Sequence, residues 1–400
     1  MTRIGDITHL DRLGIPNYSV VLPGTEDYIW VYSGKGFTKT QAKASGLMEA
    51  IERYASLPSS HDHHLIRGSL NELSRKYNLL SPEDVCEPLT FHYRDDMIMD
   101  FVPGFDLISS EEIFVPAALV LFRYNANGPA INPFSFSHTN GLASGNVLEE
   151  AICHALCEVV ERDAASLAEL RSSSIPFHLI KVLVNELRSK GYPVKGLTSD
   201  VMVDEPNLFP MLHLEDLPFQ PASNLVDRFR TANISLLIKD ITSDIGIPTF
   251  IAASAEWLTQ DYGYLAEGTG THPDARVALV RAITELSQTR AANIQGARDD
   301  LRKIQYIGEN SEDKRSWQFM NSDRKVTFSE VESYYNENIL DDIRLIINRL
   351  RAVGLKRAII VDLTLPWIGI PVIRAIVPGL ETFKFTKSVI GHRARNYFRI

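Results

Sequence analysis

Ala44-Ser-Gly-Leu-Met-Glu-Ala-Ile-Glu-Arg53 is the stretch on which the fold turns, because Cys153-His-Ala-Leu-Cys-Glu-Val-Val-Glu-Arg162 repeats its core, Glu-x-x-Glu-Arg. Each copy follows a glycine loop. Gly34-Lys35-Gly36 leads to Ser45, Glu49, Glu52 and Arg53; Asn140-Gly141 and Ser144-Gly145 lead to His154, Glu158, Glu161 and Arg162. A degenerate third copy sets Gly268-Thr269-Gly270 before Arg281, Glu285 and Gln288, so Ser45, His154 and Arg281 hold equivalent places. Spacings of three, four and seven fall on one face of an α-helix, and each copy presents a polar, mostly acidic stripe.

Carboxylates crowded on one stripe repel unless a cation sits between them. Mg²⁺ carried by a polyphosphate is the economical choice, since it takes oxygen ligands from a few carboxylates and from the phosphates. An Arg beside each Glu pair supplies a planar donor fork for phosphate oxygens. The glycine loops are expected to add backbone N–H donors and the positive ends of the helix dipoles. One copy alone would read as a solvated helix face with internal ion pairs; two copies after matched glycines point to a nucleotide site built from several helices. The opposite faces are apolar: Leu47, Ala50, Ile51 and Tyr54 in the first copy, Ala151, Ile152, Ala155, Leu156, Val159 and Val160 in the second. Thr38 with Gln41, Asn146 with Glu149, and Pro273 mark helix starts.

The repeat extends beyond the helices. Ile238-Lys-Asp240-Ile-Thr242 followed by Ile245-Gly-Ile-Pro248 returns as Ile360-Val-Asp362-Leu-Thr364 followed by Ile368-Gly-Ile-Pro371, with a weaker version at Gly104-Phe-Asp106-Leu107 and Ile113-Phe-Val-Pro116. Each reads as strand, turn and return strand. The expected fold is α+β: three related units of loop-helix plus hairpin, about 1–131, 132–264 and 265–400, sharing one core in a single 1–400 domain.

The composition, 44% hydrophobic over 400 residues, supplies an ample core, and a net charge of −9 argues against a nucleic-acid surface. No apolar run is long enough to span a bilayer, and the first residues lack a signal-peptide core. Three cysteines, Cys86, Cys153 and Cys157, make no disulfide framework, which makes the cytoplasm the expected compartment. Cys153 and Cys157 read as small buried thiols, and His61, His63 and His64 around Asp62 as surface-loop residues. Residues 176–231 read as an insertion over the core containing a helix at 180–190, and Ser329 to Arg351 as one long amphipathic helix.

Ser33-Gly-Lys-Gly36 with Ala44 to Arg53, Asn140-Gly-Leu-Ala-Ser-Gly-Asn146 with Glu150-Ala-Ile-Cys-His-Ala-Leu, Val159-Val-Glu-Arg-Asp163, Thr284-Glu285-Leu-Ser-Gln288-Thr-Arg290 and Gly369-Ile-Pro371 through Val377-Pro-Gly-Leu380 resemble the YcaO family over nearly the whole chain. The resemblance implies the YcaO fold and an ATP site with Mg²⁺ formed by three motifs. The first, Ser-x3-Glu-x2-Glu-Arg, matches Ser45, Glu49, Glu52 and Arg53. In the second, Ala143 stands where the family has Ser, Glu150 is kept and His154 replaces Gln or Glu; Ser144 is the neighbouring hydroxyl, and His154 remains able to bond or stack. The third, Arg-x6-Glu, matches Arg162 and Glu169. On this reading Glu49, Glu52, Glu150, Glu158 and Glu161 hold Mg²⁺. Lys35, Ser45, Arg53, Ser144, His154, Arg162, Glu169 and Arg281 meet the nucleotide, and Glu52, Glu161 and Arg162 carry catalysis.

Chemically, the resemblance implies activation of a peptide-bond oxygen: a nucleophile adds to the amide carbon, the oxyanion takes the γ-phosphoryl of ATP, and phosphate departs. Family members that form azolines commonly end in a Pro-x-Pro-x-Pro tail, whereas this sequence ends Asn396-Tyr-Phe-Arg-Ile400. With Ile7-Thr-His-Leu-Asp-Arg-Leu-Gly-Ile-Pro16, it is more similar to members that work beside a TfuA-type protein in thioamidation. In methanogenic archaea the corresponding product is thioglycine in the α subunit of methyl-coenzyme M reductase, with sulfide as the sulfur source. A peptide or protein substrate, a TfuA-like partner and a homodimer follow as expectations, with no nucleic acid and no membrane. The alternatives are an azoline-forming cyclodehydratase and a non-catalytic ATP-binding accessory protein.

Overall fold

The computed structural model describes residues 1–25, 30–60, 65–90, 93–172, 186–192, 206–215, 217–257, 262–297, 307–308 and 317–398. Strands β1 (Arg3–Asp6), β2 (Asn17–Val21) and β3 (Val31–Lys35) lead into helix α1 (Lys39–Ala55). Next, β4 (Ile66–Ser69), the hairpin β5 (Ile98–Asp106) with β6 (Glu111–Pro116), and β7 (Leu142–Ser144) lead into α2 (Leu148–Ser172). Then β8 (Met211–Leu212), α3 (Gln220–Thr231), the hairpin β9 (Leu237–Asp240) with β10 (Thr249–Trp257), and β11 (Tyr262–Thr271) lead into α4 (Ala275–Gln295). Strands β12 (Ile307–Gly308) and β13 (Lys325–Val326), helix α5 (Ile339–Ala352) and the hairpin β14 (Ile359–Asp362) with β15 (Val372–Ile376) follow.

All three hairpins read from the repeat are present and antiparallel. The Asp-x-Thr signature has a mechanical reason. Asp240 Oδ1 accepts the Thr242 amide at 2.9 Å and the Thr242 hydroxyl in turn accepts the Thr249 amide at 3.1 Å; Asp362, Thr364 and Val372 repeat the arrangement at 2.8 and 3.1 Å. These side chains turn the chain between strands by standing in for backbone partners.

The strand ahead of each long helix joins a hairpin. Among the described residues, β3 pairs with β2, β7 with β15, and β11 with β10. The hairpin from 359–376 therefore reaches back to the strand before α2, and the one from 237–257 reaches forward to the strand before α4. The expected division at 264–265 falls inside β11, which is paired to β10 from Gly263 to Thr271, so that boundary cuts a continuous sheet.

The glycines differ from their expected use. Gly34 lies in β3, and Gly268 and Gly270 lie in β11, so they are strand residues and not loops opening a helix. A Cβ on Gly34 would stand 2.1 Å from Ala42 O on α1, and one on Gly270 2.1 Å from Ala278 O on α4. Glycine is required there because strand and helix backbones touch. Gly34→Ala or Gly270→Ala is expected to destabilise the protein by about 3 kcal/mol or more, read from the urea midpoint. Gly5→Ala, whose new Cβ would meet only Ser19 O at 3.9 Å, is the control and is expected to be near neutral.

Apolar faces close the core between these layers. Ala151, Leu156, Val159 and Val160 of α2 pack with Ile343, Ile346 and Leu350 of α5 and with Ile373 and Ala375 of β15. Ala278, Ala282 and Leu286 of α4 pack with Phe250 and Ala252 of β10 and with Leu225 and Phe229 of α3. Leu212, Leu225 and Phe229, from the expected 176–231 insertion, thus belong to this core. The expected helix at 180–190 begins outside the described residues, as does the His61–His64 tract. Helix α5 starts only at Ile339, where Asn338 Oδ1 caps the Leu340 amide at 2.9 Å, and not at Ser329. The capping box of Thr38 and Gln41 opens α1, and Asp274 rather than Pro273 caps α4.

Candidate active site

Glu49, Glu158 and Glu285 each stand ten residues after the first residue of their helices, Lys39, Leu148 and Ala275. Glu52, Glu161 and Gln288 stand thirteen after it, and Ser45, His154 and Arg281 six after it. Three helices laid on three matched strands thus aim the same positions at one cavity of about 1440 Å³, whose lining includes all nine of these residues.

The strands supply the hydrogen bonds that orient the acids. The Ser33 amide donates to Glu49 Oε2 at 3.1 Å, and the equivalent Thr269 amide donates to Glu285 Oε1 at 3.4 Å. Between units, Ser144 donates its amide and hydroxyl to Glu52 Oε1 at 2.8 and 2.7 Å, and the Thr269 hydroxyl donates to Glu161 Oε1 at 2.8 Å. Gln288 donates its side-chain amide to the Ser33 carbonyl. The position thirteen residues into each helix therefore binds the strand of the next unit, and the three contacts close a ring.

Cations lie among the acids. Lys35 Nζ pairs with Glu285, Arg162 approaches Glu158 at 3.9 Å, and Arg281 meets His154 Nε2 at 2.7 Å. Burial, with Arg281, Lys35 and His272 nearby, holds His154 well below the usual imidazole range, so it is a neutral acceptor for the Arg281 guanidinium. The Arg53 guanidinium stacks 4.2 Å above the Phe122 ring, and Ser45 Oγ accepts the Lys35 amide at 3.3 Å.

Burial is the main reason the acids are reluctant to ionise. It raises Glu52 to about 8 against the two Ser144 hydrogen bonds, with Glu49 and Glu158 adding repulsion. It raises Glu158 to about 7, with Arg162 opposing and Glu161 adding. Glu161 is also raised, by burial and by Glu285, whereas Lys35 and Arg162 outweigh burial at Glu285 and keep it ionised. A buried nest of acids that resists ionisation suits a divalent cation, which relieves both costs. The Nε of Arg281, buried and without an acceptor among the described residues, suits an anionic ligand beside it.

A sign follows for the metal-free protein. Glu52 and Glu158 bind protons in the folded chain up to about 8 and about 7, but release them near the ordinary glutamate value of 4.5 when unfolded. Stability is therefore expected to fall as pH rises from about 5 to about 8 and to level off above. Mg²⁺, which takes the deprotonated groups, is expected to bind about tenfold more weakly per pH unit lowered for each proton it displaces. Thermal unfolding across that range, with and without Mg²⁺, checks both; a flat profile contradicts them.

Of the residues expected from sequence, Lys35, Ser45, Glu49, Glu52, Arg53, Ser144, Glu150, His154, Glu158, Glu161, Arg162 and Arg281 all line the cavity. Glu150 is engaged by the Asn146 amide and side chain, both at 2.8 Å, and precedes Glu158 by two turns, about 12 Å along the axis. Glu169 is not in the lining; it pairs with Lys384 at 3.5 Å and with Lys387. Its spacing from Arg162 keeps it on the right face but carries it about 10 Å farther along α2. Glu285, Gln288 and Thr269 were not among the expected site residues, although Thr269 stands in its Gly-flanked strand where Ser33 stands in the first copy.

The description YcaO cyclodehydratase, ATP- and Mg²⁺-binding, matches residues 33–381. The chain belongs to the YcaO family. ATP and Mg²⁺ are thereby its cofactors. An uncharacterized protein from Methanothermobacter thermautotrophicus is 34% identical over 99% of this chain and 94% of its own length. An uncharacterized protein in the tfuA 3′ region of Rhizobium leguminosarum bv. trifolii is 29% identical over 100% of this chain and 88% of its own. The YcaO protein of Methanopyrus kandleri, bound with AMPPCP and Mg²⁺, has a TM-score of 0.69 at 23% identity over 98% of this chain and 89% of that one. A heterocyclase in complex with substrate and cofactor has a TM-score of 0.70 at 23% identity; the match covers 96% of this chain but half of the heterocyclase. The mixed α and β YcaO fold of this chain is shared with these two solved structures. No helix among the described residues is long and apolar enough to cross a membrane.

Proposed function

We propose that the chain uses ATP and Mg²⁺ to activate the oxygen of a peptide backbone amide toward sulfide, leaving a thioamide. The relative in the tfuA 3′ region, alignable over this entire chain, is the observation that favours sulfide as nucleophile. A glycine of the methyl-coenzyme M reductase α subunit is the target to which the family resemblance points, with a TfuA-like protein presenting the substrate and a homodimer as the working form.

The cavity supports two reactants at once. At about 1440 Å³ it exceeds the ~300–1,000 Å³ of an ordinary small-ligand pocket, leaving room for a peptide segment beside a nucleotide. In this reading Glu49, Glu52, Glu158, Glu161 and Glu285 hold Mg²⁺, which neutralises phosphate charge when bound. Arg53, Arg162, Arg281 and Lys35 orient the phosphates. Lys35, turned to the phosphates, would leave Glu285 free to hold the metal. Hydrosulfide adds to the amide carbon, the oxyanion displaces ADP from the γ-phosphorus, and loss of phosphate and of the sulfur-bound proton leaves C=S. The chain need supply only position and charge, and the acids and guanidinium groups on the three helices can supply both.

The description as a cyclodehydratase favours a second reading, in which a Cys, Ser or Thr side chain of the peptide is the nucleophile and an azoline forms. Intact mass separates them. A glycine-containing peptide is incubated with the chain, ATP, Mg²⁺ and sulfide, with and without a TfuA-like partner. A gain equal to exchanging oxygen for sulfur is the expected result; loss of one water instead establishes the azoline reading. ATP binding with no turnover under any of these conditions sinks both.

A further inference from the structure

Helix α2 buries two thiols that the nucleotide site does not use. Cys153, beside the cavity-lining His154, is 3% exposed and Cys157 is 2% exposed. The Cys153 sulfur, the His272 imidazole and the Asp342 carboxylate each offer a ligand atom, and the three atoms lie within 4.8 Å of one another. They come from three elements: α2, the turn between β11 and α4, and the first turns of α5. Asp342 is 6% exposed; it accepts the Asn336 side-chain amide at 2.8 Å, and among the described residues no Lys or Arg forms an ion pair with it. The positive end of α5 offsets part of that buried charge, and a cation would offset the rest.

The donor chemistry is specific. Mg²⁺ takes oxygen and avoids thiolate, whereas thiolate, imidazole and carboxylate together suit a borderline divalent ion, Zn²⁺ above all. His272 Nδ1 accepts the Asp274 amide at 3.0 Å, so the ring is neutral with its proton on Nε2; ligation takes Nδ1 in place of that amide, or Nε2 once the proton moves to Nδ1. Burial lowers its pKa in the same direction. Ligand atoms at the corners of a triangle with sides of at most 4.8 Å lie about 2.8 Å from its centre, against roughly 2.0–2.3 Å for bonds to zinc. Side-chain rotation must therefore draw them in by under about 1 Å. Cys157 lies one turn further along α2 and is buried as well.

We propose that Cys153, His272 and Asp342 form a Zn²⁺ site, separate from the Mg²⁺ carboxylates, that ties α2 to the starts of α4 and α5. On binding, Cys153 releases its thiol proton to solvent, Asp342 enters as the carboxylate and His272 as the neutral ring; one proton leaves per ion. The site would fix the turn of α2 that carries His154 and the cap of the helix that carries Arg281, the two residues that meet across the cavity. It is a positioning site, since none of its ligands lines the cavity.

The test uses the full chain stripped of metal and titrated with Co²⁺ alone. The expected result is saturation at about one equivalent, with four-coordinate d–d absorption and a near-ultraviolet thiolate-to-cobalt charge-transfer band that Zn²⁺ bleaches. Co²⁺ on the central carboxylates cannot give that band, because no cysteine lines the cavity. Cys153→Ser is expected to abolish it, Asp342→Asn to weaken Co²⁺ binding at least tenfold, and Glu52→Gln to leave it intact. Circular dichroism verifies that each variant folds; if Cys153→Ser does not, Asp342→Asn carries the test. Absence of the band from the unaltered chain overturns the proposal, as does a band unchanged in the folded variants.

Discussion

Glu161→Gln is expected to lower ATP turnover by on the order of 10³-fold or more in a protein that still folds. Glu161 is 4% exposed where α2 crosses β11, and accepts the Thr269 hydroxyl at 2.8 Å. A glutamine oxygen can keep that bond, so the crossing survives and only the charge is lost. Burial and Glu285 make that charge costly in the metal-free chain, so the variant is expected to melt no lower, and even higher, without Mg²⁺ while turning over nothing. A residue that served only the fold would show the reverse. Glu52→Gln is the companion, keeping an acceptor for both Ser144 donors. Phosphate release with substrate present, beside melting curves, decides the matter; unchanged turnover in both variants would remove the carboxylate nest from the chemistry.

The second large effect separates two assignments. Glu285→Gln is expected to lower turnover by about 100-fold or more, while Glu169→Gln leaves it within about twofold. Glu285 lines the cavity, holds Lys35 and bonds the Thr269 amide; Glu169 lies outside the lining, paired to Lys384 and Lys387. Lys384 also has Glu267 at 2.8 Å, so losing the Glu169 charge does not strand it. Steady-state phosphate release settles the contrast, and a larger loss at Glu169 would restore the assignment made from sequence.

The helices and hairpins were legible because their signals are periodic and local. Glu-x-x-Glu-Arg keeps a 3.6 period whatever surrounds it, and Asp-x-Thr acts within one turn. The glycines misled for a physical reason: Gly34 and Gly270 lack a side chain to admit a helix backbone, and the same composition would serve an anion-binding loop. Glu285 was obscured because its copy has Gln288 where the others have a second Glu. Glu169 came from the match to the family motif Arg-x6-Glu, whose spacing sets it about 10 Å beyond Arg162 along α2 and outside the lining. The return of β15 to β7 lies beyond any local pattern, since 228 residues separate the partners Val372 and Ser144.

The ring of contacts among units also bears on direction. Three identical units would offer a bound triphosphate three interchangeable orientations, with nothing to tell its head from its tail. Here Glu52 and Glu161 bring carboxyl groups to two corners, while Gln288 brings an uncharged amide to the third and donates a hydrogen bond to a backbone carbonyl. The neutral corner removes the degeneracy. Because every corner lies on a seam between two units, no unit inherits a whole site, and a handed pocket arises only when the three close on one another.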